Sequence, residues 1–271
     1  MKQAWLFGAL CVLSVVSCEH SAVKLVPTCD GSSENYPLPQ YENGNGSVTY
    51  YTFSQGSTAV DCSYAILASS ANGGTDTVAH VSTGNGTYFG AMNTADYNNA
   101  ATCGACVEIT RDGTRTVTVT IVDQCPYDPN NPACRPGHID LSQAAFEQIG
   151  SDAEGYLGTG NGGAVGVISW RYVPCPTSED LSFQLKEPTN DYWNQILVQG
   201  HINPITNVEV QVGADWQSLP RQSYNYWGNG SIGSAPYQVR VTDINGAQEV
   251  ATLQQIAGDQ DSSVQFPLYC Q

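Results

Sequence analysis

Basic side chains are scarce in this sequence. Lys and Arg together number 9 against 25 Asp and Glu, which gives a formal net charge of −16, and charged residues of all kinds make up only 13% of the chain. Nucleic acids and anionic membrane surfaces repel so acidic a chain, so we expect neither as a partner. A neutral polysaccharide suits this charge better than a strongly acidic one, unless a local basic patch exists.

Long apolar runs are also lacking, except at the N-terminus. Residues 5–16 form an apolar stretch behind a Met-Lys start, too short to span a bilayer comfortably and typical of a secretion signal. The sequence Val15-Val-Ser-Cys18 then resembles a bacterial lipobox, which would place a lipid on Cys18; ordinary cleavage near that residue is the alternative. We predict a signal peptide over residues 1–18 and a secreted, extracellular protein, with lipid anchoring at the cell surface left open.

Paired Cys and His clusters of the kind that bind zinc are lacking as well. Cys103-Gly-Ala-Cys106 has the spacing of half a zinc site, but no second close pair accompanies it, so we predict no metal and no cofactor. Eight of the ten cysteines lie beyond residue 18, an even number, as a disulfide framework in an exported protein requires. Three Asn-x-Ser/Thr acceptors would be glycosylated only in a host with the machinery, namely Asn45, Asn85 and Asn229.

Strand patterns dominate what is present. The chain has 27 Gly, and 15 Tyr against 6 Phe, a profile that suits an all-β extracellular protein with many turns. Residues 19–44 are polar and weakly patterned, and we interpret them as a tether. Strand patterns begin at residues 47–53, and residues 116–122, which alternate Thr with Val or Ile, form the clearest strand. One helix is predicted, capped by Ser142 and stopped by Gly150.

The second half of the chain has no helix pattern and no internal repeat. It follows a boundary of Pro, Cys, Thr and Ser at residues 174–178. Clean alternation at residues 208–212 and 237–242 indicates strands at the regular spacing of a small β-sandwich. We therefore predict two domains, the first over residues 45–175 and the second over residues 180–271.

Two carboxylates in the first half are candidates for chemistry. Asp123 ends a predicted strand, and Asp140 stands just before the predicted helix. A strand end and a helix start, joined by a loop that a Cys125–Cys134 bridge would close, can place both carboxylates at one cleft wall. A partly desolvated carboxyl there has a raised pKa and can protonate a glycosidic oxygen. The simpler interpretations are a turn residue that bonds local backbone for Asp123 and a helix N-terminal charge for Asp140.

The segments around these carboxylates resemble a known family. Gly137-His-Ile-Asp140-Leu-Ser is similar to the His-Phe-Asp signature of expansins. Val122-Asp123-Gln-Cys-Pro is similar to the matching motif of the double-psi barrel that expansins share with barwin-like proteins and family-45 glycoside hydrolases. Residues 93–98 and 103–109 also resemble expansin segments. The resemblance covers residues 45–271 and implies an all-β protein, a six-stranded double-psi β-barrel followed by an immunoglobulin-like β-sandwich that binds carbohydrate.

The resemblance also implies site residues in the barrel. Asp140 matches the aspartate that expansins need for wall loosening, and Asp123 matches its partner. Thr49 matches a threonine on the first barrel strand that lines the groove. The tyrosine that bacterial expansins carry two positions after the first aspartate is replaced here by Cys125, and Tyr127 is the candidate substitute.

A second catalytic carboxylate is lacking. Inverting hydrolases of family 45 need a base across the cleft, on the first barrel strand, to activate water. The predicted strand, residues 47–53, contains no Asp or Glu. We therefore expect no efficient hydrolysis, although Asp61 and Asp96 are kept as substitutes for the missing base.

Four disulfide bonds are expected. Two follow from the resemblance to plant expansins, the third from local spacing, and the fourth is the pair left over, which would tie the tether to the C-terminus. Eight cysteines allow many connectivities, so this map is a hypothesis. In that order, the pairs are Cys62–Cys103 and Cys106–Cys175, then Cys125–Cys134, then Cys29–Cys270.

An aromatic surface is implied for the second domain. Tyr192 and Trp193 are similar to the paired aromatics of microbial expansins, Tyr224 to the third ring of that surface, and Lys186 to the basic residue at its edge. Flat rings stack on the C–H faces of glucose, so such a row suits a straight glucan chain. The alternative is core packing, because neighbours in a strand point to opposite faces unless a bulge intervenes.

These features predict a protein that binds cellulose or a related neutral cell-wall glucan and loosens the wall without efficient hydrolysis, as a monomer and without a cofactor. Two alternatives stay open. The first is a weak endoglucanase or lytic transglycosylase that uses Asp140. The second is a purely carbohydrate-binding lipoprotein of the cell surface, which lipidation of Cys18 would favour.

Overall fold

The computed structural model of this protein describes residues 38–129, 134–159, 165–255 and 258–268. The predicted signal segment, Cys18 and most of the predicted tether lie outside these residues. Within the described ranges, no helix is long and apolar enough to cross a membrane.

Six strands of the first half close into a barrel. In the order β7-β4-β6-β5-β9-β1 each strand pairs with the next, and β1 pairs again with β7 to complete the ring, while β8 extends β1 on the outside. The strands of this half are β1 (Tyr41–Tyr51), β2 (Ile66–Ala68), β3 (Thr77–Val78), β4 (Phe89–Asn93), β5 (Cys106–Arg111), β6 (Arg115–Cys125), β7 (His138–Ser142), β8 (Leu157–Gly158) and β9 (Ile168–Val173).

The pairing pattern of the ring is that of a double-psi barrel. Two neighbouring pairs are parallel, β1 with β7 and β4 with β6, and the other four are antiparallel. The predicted all-β fold with a six-stranded double-psi β-barrel is therefore confirmed. β1 begins at Tyr41, earlier than the predicted strand start and inside the stretch interpreted as a tether.

Alternate residues of the strands fill the barrel interior. In β6, Val117 and Val119 are buried while Thr118 between them is partly exposed, as the alternation predicts. Trp170 on β9 is almost fully buried and donates its Nε1–H to the carbonyl of Gly137 at 2.9 Å. This bond ties the core to the turn just before β7, the strand that carries Asp140.

Two short helices flank the barrel. α2 (Gln143–Ile149) follows β7 directly, with Ser142 at its N-cap accepting a first-turn amide at 3.3 Å and Gly150 at its C-cap, so this predicted helix is confirmed. α1 (Thr94–Tyr97) is a single turn that sequence reasoning missed; Asn93 caps it. One turn is too short to show a helical periodicity.

The second half folds as two packed four-stranded sheets, which confirms the predicted β-sandwich. The first sheet has the order β14-β11-β10-β17 and the second β13-β12-β15-β16, with antiparallel pairing throughout. Their strands are β10 (Ser182–Leu185), β11 (Asn194–Gln199), β12 (Ile205–Val212), β13 (Asp215–Ser218), β14 (Trp227–Gly230), β15 (Tyr237–Asp243), β16 (Gln248–Leu253) and β17 (Asp259–Asp261).

Three disulfide bonds lie within the described residues, and all three are pairs that the resemblance and the local spacing suggest. The fourth expected pair, Cys29–Cys270, lies outside the described residues. The bonds present are Cys62–Cys103, Cys106–Cys175 and Cys125–Cys134.

The two halves share a joint formed by residues 221–226, which we call the interdomain joint. The guanidinium of Arg221 lies 4.3 Å from the centre of the Trp227 ring. Arg221 donates to the carbonyl of Ala100 in the barrel at 2.6 Å and to that of Ile205 in the sandwich. One partly buried cation thus links both domains.

Neighbouring residues of the interdomain joint add further bonds and apolar contact. Tyr97 of the barrel donates to the carbonyl of Ser223 at 3.1 Å, and Asn225 donates to the carbonyl of Cys62 at 3.4 Å. An apolar cluster spans the seam, and because its buried members come from both domains, the two domains pack against each other. Its buried members are Phe53, Val60, Tyr64, Val78, Val81, Phe89 and Val122 from the barrel, with Leu197 and Tyr226 from the sandwich.

Candidate functional site

Four strands of the barrel present one row of side chains on its outer face. Thr49 of β1 is aligned with Asp140 of β7. Asp140 is aligned in turn with Ala91 of β4, and Ala91 with Asp123 of β6. Ile139, next to Asp140, is buried in the core, so strand alternation puts Asp140 outside. Neighbouring strands lie about 4.8 Å apart, so the backbones of the two carboxylates are roughly 10 Å apart, with the small Ala91 between them.

A bulge in β6 turns Asp123 onto this face. Gly90 is aligned with Ile121, whereas the next residue, Ala91, is aligned with Asp123, so Val122 is the extra residue. Bulges re-aim side chains. Val122 packs into the apolar cluster of the seam, and Asp123 joins the outer row.

Asp140 accepts a hydrogen bond from the neighbouring strand. The Thr49 hydroxyl donates to Asp140 Oδ1 at 2.6 Å. Burial raises the pKa of Asp140, and the bond from Thr49 opposes that rise. A carboxyl in such surroundings holds a proton closer to neutral pH than an exposed aspartate does and can donate it to an oxygen of a bound sugar.

Asp123 is held by three donors. Its Oδ1 accepts the backbone amides of Asp61 at 3.0 Å and Gln124 at 2.9 Å, and its Oδ2 accepts the Tyr51 hydroxyl at 3.4 Å. Burial outweighs these bonds and raises the pKa of Asp123 to about 6. Burial and the nearby carboxylates of Asp123 and Asp140 also raise the pKa of Tyr51 well above its ordinary value, so this hydroxyl stays a donor.

In the sandwich, Tyr192 and Trp193 stand on a turn and not on a strand. The side-chain oxygen of Asn190 accepts the backbone amides of Tyr192 at 2.9 Å and Trp193 at 3.1 Å, which fixes the turn. Tyr192 is 86% exposed and Trp193 is half-buried. The rule that strand neighbours point to opposite faces does not apply to a turn, and core packing is excluded for Tyr192.

Tyr224 and Lys186 lie together at the edge of the same sheet. The Lys186 ammonium is 4.4 Å from the centre of the Tyr224 ring and 4.9 Å from that of Tyr226. The Tyr224 hydroxyl donates to the side chain of Gln195 at 3.1 Å, which fixes the ring on the sheet. This half-buried ring thus faces the cation that the resemblance places beside it.

One short segment connects the barrel row to the aromatic residues. The amide of Asp61 donates to Asp123, and two residues later Ser63 Oγ donates to the carbonyl of Tyr224 at 2.7 Å. Residues 61–63 therefore form a bridge between Asp123, at one end of the row, and Tyr224. A chain-like ligand that covers the bridge reaches both domains.

Comparison with known proteins decides the family. Expansin-like protein 5 of Dictyostelium discoideum is 30% identical over 193 residues, which make up 69% of this chain and 76% of that protein. This chain belongs to the expansin-like family. A family model described as lytic transglycolase matches residues 43–165, and Expansin-YoaJ of Bacillus subtilis is 29% identical over 160 residues, 58% of this chain and 62% of that protein.

Solved expansin structures match across both domains of this expansin-like chain. A mutant expansin of Clavibacter michiganensis, crystallised in complex with cellohexaose, superposes with a TM-score of 0.65 at 26% identity, over 85% of this chain and 100% of that chain. The apo expansin of the same organism gives a TM-score of 0.64 at 27% identity. The succession of barrel and sandwich is therefore shared with these expansins.

Sequence reasoning missed three side chains of this expansin-like site. Ser47 and Tyr51 flank Thr49 two positions to either side on β1, and His138 stands two positions before Asp140 on β7. Side chains two apart in a strand share a face. Period-two counting from Thr49 and Asp140 is the signal that finds all three.

The hydroxyl that reaches Asp123 belongs to Tyr51, and Tyr127 does not supply it. Tyr127 is 52% exposed, and its backbone amide donates to Thr94 Oγ1 at 3.0 Å. The tyrosine hydroxyl that contacts Asp123 in this structure therefore comes from β1, at the opposite end of the row.

The two substitutes considered for the missing base differ in position. Asp96 is buried, and its carboxylate accepts Asn93 Nδ2 at 2.6 Å and the amide of Gly137 at 2.8 Å, so it holds the backbone before β7. Asp61 is exposed overall, its backbone amide donates to Asp123, and partial desolvation of its carboxylate raises its pKa. Only Asp61 of these two borders the row.

The longer β1 of the structure does include one carboxylate, that of Glu42. It lies seven positions before Thr49, roughly 20 Å along an extended strand, and it is exposed. Glu42 is therefore too far from Asp140 to act as the catalytic base of an inverting hydrolase, which lies about 6.5–9.5 Å from the acid.

One group of described residues has the spacing of metal ligands. Cys125, Cys134 and His138 bring their ligand atoms within 4.8 Å of one another. The two cysteines are joined to each other, so they present a disulfide and no thiolate, which is the form that binds metal. This donor set does not fit a metal ion.

Proposed function

We propose that this expansin-like protein binds cellulose or a related neutral cell-wall glucan and loosens the wall without efficient hydrolysis. The observation that carries the proposal is the row Thr49–Asp140–Ala91–Asp123. In this row, two partly buried carboxyls lie on either side of the small Ala91. Residues 43–51 of the neighbouring strand β1 contain no carboxylate. A proton donor is thus present, and the base that would activate water opposite it is missing.

The row suits an exchange of hydrogen bonds with a bound glucan. Burial favours the protonated form of Asp140, which can donate to a sugar oxygen, and Asp123, with a pKa raised to about 6, changes between donor and acceptor near mildly acidic pH. Such groups compete for the hydroxyls that neighbouring glucan chains otherwise share. A chain held in this way is released from its neighbours with all of its covalent bonds intact.

The sandwich supplies the anchor in this proposal. The exposed ring of Tyr192, the half-buried rings of Trp193 and Tyr224, and the edge cation of Lys186 present flat apolar surface to a glucan. The cellohexaose bound by the related Clavibacter expansin is a ligand of this chemical class. Secretion through residues 1–18, a lipid anchor at Cys18 and a monomeric state remain predictions.

The experiment pairs a mechanical and a chemical readout. Filter-paper weakening and release of reducing ends are followed together for wild type, Asp140→Asn, and the control Asp215→Asn, which removes an exposed carboxylate on β13 of the far sheet. We expect weakening without sugar release, lost at least tenfold in Asp140→Asn and kept in the control. Weakening that survives in Asp140→Asn would contradict the role of the row and leave a purely carbohydrate-binding protein.

A cleaving activity is the second candidate function. The match of residues 43–165 to a family model described as lytic transglycolase favours it, with Asp140 as the acid. Asp61, whose backbone amide donates to Asp123, is an exposed carboxylate at the border of the row. Release of reducing ends or of soluble fragments from amorphous glucan or peptidoglycan by wild type, absent in both Asp140→Asn and Asp61→Asn, would establish this alternative.

A further inference from the structure

A continuous series of hydrogen bonds, which we call the file, links four side chains and ends in the row at Thr49 and Asp140. Ser47 Oγ is 2.9 Å from His138 Nδ1, His138 Nε2 is 3.0 Å from Thr49 Oγ1, and Thr49 donates to Asp140 Oδ1 at 2.6 Å. His138 is fully buried and Ser47 nearly so. The file thus leads from the barrel wall to Asp140, one of the two carboxyls of the row.

Counting protons fixes the direction of every bond in the file. An ionised Asp140 can only accept, so the single hydroxyl proton of Thr49 points at it, and Thr49 Oγ1 must accept from the ring. A neutral imidazole carries one N–H, which is therefore on Nε2. The bare Nδ1 then accepts the hydroxyl of Ser47.

His138 is kept in the neutral state that this counting requires. Burial, with a smaller contribution from the positive charge of Arg135, lowers the pKa of His138 to about 4. The Tyr156 ring stacks near it, with centroids 6.5 Å apart and planes 8° from parallel. The sulfur atoms of the Cys125–Cys134 disulfide lie within 4.8 Å of a ring nitrogen and carry no negative charge that would stabilise a protonated ring.

We propose that His138 is a positioning residue whose Nε2–H holds the Thr49 hydroxyl proton on Asp140. The inference deepens the proposed function by explaining how its carboxyl is set, but the order of the hydrogen bonds does not depend on that function. Without His138, the Thr49 hydroxyl is free to rotate away and Asp140 loses its donor.

Two other titratable side chains face Asp140, whose titration tests the proposal. Tyr51 faces it from β1 and stays protonated, and Asp123 faces it from β6 beyond Ala91. Neither is part of the file. Removing the donated bond leaves burial unopposed, so the pKa of Asp140 rises, by roughly one pH unit for the loss of one hydrogen bond to a carboxylate.

The first experiment measures the wild-type protein. Long-range ¹H–¹⁵N NMR reports the tautomer of each imidazole, and His138 is assigned as the signal that persists when His20, His80 and His201 are substituted one at a time. We expect a neutral ring with its proton on Nε2 from pH 7 down to about pH 4. A proton on Nδ1, or a charged ring at pH 6, would overturn the proposal.

The second experiment uses two variants that divide the ring between them. His138→Gln can place an amide N–H where Nε2–H stands, whereas the shorter His138→Asn keeps only the end that faces Ser47. The ¹³C titration of the Asp140 carboxyl is expected to move up by about one pH unit in His138→Asn and to return towards wild type in His138→Gln. Equal titrations in wild type and His138→Asn, or an equal shift in both variants, would sink the idea.

A matched control separates positioning from mere stability. His201 is the other buried histidine of the described chain, at the domain seam beside Gly104 and Tyr64. His201→Asn is expected to destabilise the fold without moving the titration of Asp140. Both NMR readouts are independent of wall loosening, so absence of activity in wild type would refute the proposed function and leave the positioning role still measurable. If the His138 variants do not fold, the wild-type tautomer alone decides.

Discussion

In the barrel, the side chains proposed to act on the glucan are withdrawn from water and held by hydrogen bonds, whereas in the sandwich the first ring proposed to bind it is 86% exposed. Withdrawal costs stability, because it raises the pKa of Asp123 and of Asp140 and penalises their charged forms. Exposure of Tyr192 costs little, and the apolar gain comes only when a ligand covers the ring. In the proposed function, the carboxyls that act on the glucan are thus partly buried in one domain, and the ring that binds it is exposed in the other.

The largest effect is expected where the two regions meet. Arg221→Ala removes the stacking on Trp227 and the charged donor to carbonyls in both domains, and should lower the free energy of unfolding by about 3 kcal/mol. Chemical denaturation with one probe in each domain measures this and asks whether the halves come apart. Arg221→Lys keeps the charge but not the planar fork. Unchanged stability in Arg221→Ala would show that the apolar seam alone joins the domains.

The next largest effect tests how much stability the burial of Asp123 in the barrel costs. The folded pKa of Asp123 is raised to about 6, above its ordinary value of 3.8, so its stabilising contribution is full below pH 4 and is lost as pH rises through 6. Asp123→Asn keeps the oxygen that accepts two amides and removes the buried charge. We expect it to stabilise the protein by about 2 kcal/mol at pH 7 and by nothing at pH 3.

Urea unfolding of wild type and Asp123→Asn across this pH range measures the difference. A variant that is less stable than wild type at pH 7 would mean that the charge of Asp123 is stabilised in the fold and that burial is not the dominant influence on its pKa.

A smaller effect is expected on the exposed side. Tyr192→Ala and Trp193→Ala should each weaken binding to insoluble cellulose about fivefold to tenfold, close to 1 kcal/mol, because each removes a stacking ring. Stability should hardly change for Tyr192, which is 86% exposed. The control is Trp216→Ala, a ring on β13 of the other sheet. Equal losses in depletion assays for all three variants would deny the surface its role.

The smallest effect concerns the cation at the edge of that surface. Lys186→Met removes a charge that lies 4.4 Å from the Tyr224 ring, and affinity for a neutral glucan should fall about twofold, about 0.5 kcal/mol. Lys186→Arg keeps the charge over the ring and should bind as wild type does. A loss above tenfold in Lys186→Met, measured by the same depletion assay, would make this residue a direct ligand contact.

Several strands were predictable from sequence, among them those at residues 47–53 and 116–122, but their register was not. Asp123 and Asp140 are found at a strand end and before a helix by pattern alone. That Thr49 faces Asp140, which is 91 residues later, depends on a pairing between distant strands, and local patterns carry no such information. The bulge at Val122 adds one residue and reverses which side chain faces outward, so counting along β6 alone misplaces Asp123.

The aromatic pair, Tyr192 and Trp193, shows a different kind of error, because a rule for strands was applied to residues that form a turn. The alternative interpretation, in which one of Tyr192 and Trp193 packs in the core, assumed that both residues lie in a strand. The side chain of Asn190 accepts two amides and makes a turn instead, and Asn is one of the residues that favour turns. The sequence therefore held the signal, two residues ahead of the pair.

The interdomain joint also has a mechanical consequence. A seam with a partly buried cation, hydrogen bonds to backbone carbonyls of both domains and a shared apolar cluster leaves little freedom to bend between the domains. If the sandwich anchors the protein on a wall fibre, as the proposed function has it, a tensile load on that fibre would pass through Arg221 and its neighbours into the barrel wall. A glucan chain at the carboxyl row would then be held by a stiff two-domain unit, without a flexible hinge between anchor and row.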